Sequence, residues 1–108
     1  MEYKDILIKL KSLSNPKAVK RMTRFGINPK NNYGVSIPNL RKLAKEIGKD
    51  HHLAQKLWQS KIREGRILAS MVDIPKKITK SQMENWVKEF NSWEVCDQVC
   101  SNLFGKTR

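Results

Sequence analysis

The chain has 108 residues, with 22 Lys and Arg set against 10 Asp and Glu, for a formal net charge of +12. That length holds one small domain with one modest core, and the positive surplus makes a polyanion, above all nucleic acid, the first partner to consider. No run of about 18 apolar residues is present to span a membrane, the start Met1-Glu2-Tyr3-Lys4-Asp5 lacks the features of a secretory signal, and the helical recurrence of the hydrophobic residues argues against disorder.

Tyr3, Ile6, Leu7, Leu10 and Leu13 recur at three- and four-residue intervals, so residues 3 to 13 are predicted as an amphipathic helix. Asn15-Pro16 reads as a cap followed by proline at the first helical position. The second helix then carries Ala18, Val19, Met22 and Phe25 on one side and Lys17, Lys20, Arg21 and Arg24 on the other, and Gly26 ends it. Ile27 to Gly34 has the composition of a loop. Ser36 is placed to cap a third helix with Ile37, Leu40, Leu43, Ala44 and Ile47 inward and Arg41, Lys42, Lys45 and Lys49 outward, stopped by Gly48.

Asp50 is expected to cap a fourth, short helix carrying Leu53, Ala54, Leu57 and Trp58. Ser60 is read as the start of a fifth, whose apolar residues are Ile67, Leu68, Met71 and Val72 and which Pro75 ends. Thr79 or Ser81 starts a sixth, Ser81 and Glu84 having capping-box spacing, with the stripe Met83, Trp86, Val87 and Phe90 turned inward. Asn91 or Ser92 starts a seventh that runs through Leu103 and Phe104 to Gly105. No segment alternates with period two for long enough to make a strand. The expected fold class is therefore all-α: antiparallel helix pairs of about 40 residues stacked as a HEAT-like α-solenoid, or, as the alternative, a compact helical bundle. The odd helix count leaves the seventh without a downstream partner, so its flank is a place for association.

The charge is unevenly spread. No acidic residue lies between Asp5 and Glu46, while seven of the ten acids fall from Asp50 onward. Lys17, Lys20, Arg21, Arg24, Arg41, Lys42 and Lys45 are the residues expected to follow a phosphate backbone, where neutralised phosphates release counterions. Such residues give affinity without sequence preference, and a lysine-rich solvated surface is the plainer reading of the same pattern.

Neither a metal nor a cofactor is expected. Adjacent His51 and His52 point about 100° apart on a helix and do not chelate one ion easily. Cys96 and Cys100 have no second Cys or His pair to complete a site, and the glycines are scattered rather than gathered in a phosphate loop. One helical turn apart, the two cysteines are poorly spaced for a disulfide, so free thiols in a cytoplasmic protein are expected.

The segment Asn91-Ser92-Trp93-Glu94-Val95-Cys96-Asp97-Gln98-Val99-Cys100 holds the sharpest candidate. Helical spacing puts Trp93, Cys96, Asp97 and Cys100 along one side, read here as a side where a carboxylate needs a partner. A salt bridge or a hydrogen bond to a neighbouring helix is one reading. The other is a carboxylate beside an indole face, a pair suited to a cationic ligand.

Tyr33-Gly34-Val35-Ser36-Ile37-Pro38-Asn39-Leu40-Arg41-Lys42-Leu43-Ala44-Lys45, Leu57-Trp58-Gln59-Ser60, Glu64-Gly65-Arg66-Ile67-Leu68-Ala69 and Ser92-Trp93 with Cys96-Asp97 together resemble the HEAT-like-repeat DNA alkylation repair family. That resemblance implies an all-α solenoid binding duplex DNA on a basic concave face. It also implies removal of cationic N3- and N7-alkylated purines, with Asp97 as the acting carboxylate and Trp93 against the lesion or its sugar. It covers nearly the whole chain but only about the N-terminal half of a family member, whose further repeats supply another aromatic residue and an arginine. Residues 1–108 are accordingly expected to be a single helical-repeat domain at the front of a longer solenoid.

Overall fold

Most helices begin where a short polar side chain takes up an N–H of the first turn, which has no carbonyl partner inside the helix. The computed structural model describes residues 2–24, 32–90 and 93–106. Helix α1 (Tyr3–Ser12) starts with Glu2 N donating to Asp5 Oδ2 at 3.0 Å. In α2 (Pro16–Thr23) Asn15 Oδ1 accepts from Ala18 N at 3.2 Å, and in α3 (Ile37–Ile47) Ser36 Oγ accepts from Asn39 N at 3.3 Å. Asp50 caps α4 (His51–Gln59) through Leu53 N at 3.0 Å. Helices α5 (Arg63–Val72), α6 (Lys80–Lys88) and α7 (Trp93–Asn102) follow, with 3₁₀ turns at Pro75–Lys77 and Phe104–Lys106. The seven α-helices are joined by no strand among the described residues, as the all-α expectation requires. Phe25, Gly26, the loop residues 27–31, and the helix start at Asn91 or Ser92 lie outside the described residues.

Two local expectations are corrected, and of the two starts expected for the sixth helix Thr79 is the one found. Ser60 does not open the fifth helix. It closes α4, its Oγ donating to Leu57 O at 2.6 Å and accepting from Ile62 N at 3.2 Å, and α5 begins only at Arg63. The capping residue of α6 is Thr79, whose Oγ1 accepts from Gln82 N at 3.1 Å, while Ser81 and Glu84 lie within the helix. In the same helix Trp86 is buried but Val87 is 52% exposed, so the inward stripe is narrower than the spacing implied.

The helices stack in pairs. Helices α4 and α5, connected by residues 60–62, pack against each other as a hairpin. Helix α1 lies against α4, and α6 joins the same layer by stacking Trp86 on Trp58, ring centroids 4.2 Å apart and planes within 1°. Across from them α5 contacts both α3 and α7. Ile6, Leu10, Leu40, Leu57, Ile67, Leu68, Val95, Val99 and Leu103 form the continuous apolar core between the layers. A radius of gyration of 13.1 Å matches the value of about 13 Å for a compact chain of this length.

Helix α5 is central and buried nearly all round, including Arg63, Glu64, Arg66 and Ser70. Gly65 makes its approach to α4 feasible, because a Cβ there would sit 2.5 Å from Ser60 Oγ and 2.8 Å from Leu57 O. Among the described residues no helix is long and apolar enough to cross a membrane.

Candidate nucleic-acid interface and carboxylate

The seven predicted cations are all exposed and fall into two places. Lys17, Lys20, Arg21 and Arg24 project from α2 and, with Asn15, line one shallow groove. Arg41 and Lys45 of α3 border a second with Ala44, Gly48, Met71 and Lys49, a cation that the charge pattern alone did not single out. Lys49 Nζ donates to Met71 O at 2.7 Å, which fixes it at the rim. Lys42 is exposed but borders neither groove.

The described segment that leads into α3, residues 32–36, is held against α2. Gly34 adopts φ +70° and its missing Cβ leaves room for Asn15 O, which would otherwise lie 2.5 Å away. Asn15 N donates to Tyr33 O at 2.7 Å. The Gly34-Val35-Ser36 step thus has three separate tasks: a left-handed turn against α2, a core valine, and the α3 cap.

Asp97 sits midway along α7 and is exposed. The expectation that its side of the helix is buried is overturned: the core face of α7 is Val95, Val99 and Leu103, and Asp97 points away from it. It forms no ion pair with a described residue. The spacing argument does hold for its neighbours. Cys96 and Cys100 are free thiols, and Cys100 is pushed above the usual thiol pKa first by partial desolvation, then by Cys96, then by the charge of Asp97. The side chain of Trp93 lies outside the described residues. Because the valines of α7 are covered by α5, the exposed apolar flank expected on the last helix is not found among its described side chains. Among the described residues the large exposed hydrophobics are Ile8 and Val87 instead.

The hold on α7 comes from charges that helical spacing does not reveal. Arg63 grips Glu94 with two donors, Nε to Oε1 and Nη2 to Oε2 at 2.8 Å. Its Nη1 donates to Val35 O at 2.9 Å and to Glu64 Oε2 at 2.6 Å. Glu64 is fully buried, and its carboxylate also accepts from Tyr33 N at 3.0 Å and Val35 N at 3.1 Å. A buried charge needs such saturation, since desolvating it unpaired costs several kcal/mol. Burial alone lowers the pKa of Arg63, but the hydrogen bonds it donates to Glu94 and Glu64 and the charges of those two carboxylates outweigh it and leave a net rise.

Arg66, lying over the Trp58 ring at 4.6 Å, is lowered by burial with only the charge of Glu89 in opposition. It ties α5 to the end of α6 through Glu89 O at 2.6 Å. Charged residues inside an otherwise apolar run, Glu64 and Arg66 beside Ile67 and Leu68, were the available signal for this interior network. No group of three His, Cys, Asp or Glu residues able to hold a metal occurs among the described residues.

The sequence model of a family described as "DNA alkylation repair enzyme" matches residues 6–108. The chain belongs to this DNA alkylation repair family. Among curated proteins, none matches the sequence. A solved structure described as "A new family of proteins related to the HEAT-like repeat DNA glycosylases with affinity for branched DNA structures" superposes with a TM-score of 0.82 at 21% identity, over 90% of this chain and 41% of that one. The stacked pairs of this DNA alkylation repair family member are thus a HEAT-like helical-repeat fold, and the chain spans less than half the length of that relative in structure.

Proposed function

We propose that the chain binds duplex DNA through the cations of α2 and α3 and acts in hydrolysis of the N-glycosidic bond of cationic N3- and N7-alkylated purines. Membership of the DNA alkylation repair family supports the class of substrate. The observation that carries the residue assignment is Asp97, a carboxylate on a firmly held helix, open to solvent and outside the ion pairs of the described residues. An alkylated purine leaves as a neutral base, so no general acid is required. Positive charge grows instead on the deoxyribose as the C1′–N bond breaks, and a carboxylate stabilises it or positions the attacking water. Trp93, one turn earlier, supplies an aromatic face for the cationic base. A cytoplasmic location accords with the free thiols.

The test is release of N7-methylguanine from alkylated duplex DNA. Asp97→Asn should abolish release while DNA affinity persists, and undiminished release from this variant would remove Asp97 from the reaction.

A second reading is favoured by the relative described as having affinity for branched DNA. In that reading the chain is a binding module without catalysis. It would then retain branched and linear duplexes in a salt-dependent way, release no base, and be indifferent to Asp97→Asn.

A further inference from the structure

The interior network around Arg63 is more than a satisfied core charge, because of what stands at its two ends. At one end is the Tyr33–Val35 segment, which enters α3 and packs on α2. At the other is Glu94, three residues before Asp97 and therefore its neighbour on the helix surface. Every link between them is buried: Glu64 is 0% exposed and Arg63 5%. The grip on Glu94 uses both carboxylate oxygens, which fixes its direction as well as its distance. The far end of α7 is anchored separately, Asn102 Nδ2 donating to Ser70 Oγ at 3.2 Å, and Ser70 Oγ donating in turn to Ile67 O at 2.6 Å. Asp97 lies between these two anchors along α7 and is exposed.

We propose that Arg63 and Glu94 are positioning residues for Asp97, holding its carboxylate in fixed register with the phosphate-binding cations of α2 and α3. This rests on the reading of Asp97 as the acting carboxylate. DNA seated on the basic helices then meets Asp97 at a set offset, without a search by the protein. Neither Arg63 nor Glu94 touches the substrate; both act through the pose of α7. Removal of Glu94 frees the first turn of α7 and leaves the cations of α2 and α3 where they are. A misplacement of about 1 Å at a reacting group can lower a rate by roughly 100-fold.

Glu94 is the residue to change, because its side chain is 31% exposed and its loss leaves Arg63 paired with Glu64. Three measurements on Glu94→Ala and Glu94→Gln decide the matter: single-turnover base release at saturating alkylated duplex, DNA affinity, and amide hydrogen exchange along α7. Glu94→Ala should slow release by about 10- to 100-fold, leave affinity unchanged, and speed exchange in residues 95–99 while α4 and α5 stay protected. Glu94→Gln keeps one acceptor oxygen and should fall between. A purely structural role would lower affinity and protection throughout the molecule together.

Release at the parent rate, a loss of release accounted for by lost affinity, or unchanged exchange in α7 each overturns the proposal. The two readings separate cleanly. If Asp97→Asn is inactive and Glu94→Ala is as fast as the parent, only the positioning role fails. If Asp97→Asn releases base as well as the parent, or the parent releases none, the carboxylate reading fails and the positioning role falls with it.

Discussion

Cys100 lies within reach of the Asp97 charge, and its thiol serves as a reporter of that carboxylate. Its pKa is raised by partial desolvation, by Cys96 and by Asp97, in that order, so the thiolate is the disfavoured form. At neutral pH the group is a thiol and a slow nucleophile. Alkylation by iodoacetamide should therefore rise with pH to a midpoint above that of an ordinary cysteine. Asp97→Asn removes one of the negative charges that oppose ionisation, and the midpoint should move down. It should not reach the ordinary value, because desolvation and Cys96 remain. An unmoved midpoint in mass-spectrometric rate measurements would separate the two side chains. Helical spacing made the neighbourhood of Cys96, Asp97 and Cys100 readable in advance. It could not say which way that side faces, since the orientation is set by the burial of Val95, Val99 and Leu103 against α5.

At the scale of elements, Asp73 at the end of α5 shows what holds the layers together. Its buried carboxylate takes Gln55 Nε2 from α4 at 3.3 Å, Gln82 Nε2 from α6 at 2.8 Å and its neighbour Ile74 N at 2.7 Å, with His51 Nδ1 lying 2.6 Å away. One side chain thus joins three helices. Asp73→Ala strips these half-buried donors of their acceptor and should destabilise the fold by about 1–3 kcal/mol. A lower urea midpoint at unchanged m-value is the expected signature, and a loss under about 1 kcal/mol would show the cluster to be replaceable. The caps at Asn15, Ser36, Asp50 and Thr79 were legible because a cap is a local event within four residues. Asp73 was not, because its side-chain partners lie 9 to 22 residues away.

Over the whole molecule the surplus of +12 is concentrated rather than uniform. Interior acids are spent on interior partners: Glu64 on Arg63 and backbone N–H groups, Asp73 on the three-helix cluster. The cations of α2 and α3 meanwhile remain exposed beside the two grooves. Duplex affinity should therefore fall steeply with salt, the logarithm of the binding constant declining by about 0.9 per neutralised phosphate for each tenfold rise in concentration. Removing Lys20 with Arg21, or Arg41 with Lys45, should flatten that slope by about 0.9 for each phosphate that is no longer neutralised. Filter-binding or anisotropy titrations at several salt concentrations measure it, and a flat profile in the parent protein would rule out an electrostatic interface.

Taken by itself, the sequence determined the helices, most of their caps and the exposed sides of α2 and α3, because spacing and capping act over one or two turns. Its motif order pointed to the DNA alkylation repair family, and residues 6–108 match that family. Tertiary structure alone decided that α5 runs through the interior with its charges paired, and that Asp97 faces outward on a helix clamped at Glu94. The reason is physical. Periodicity fixes how side chains lie relative to one another on a helix, whereas the side that meets the core depends on partners distant in sequence, such as Glu94, 31 residues beyond Arg63.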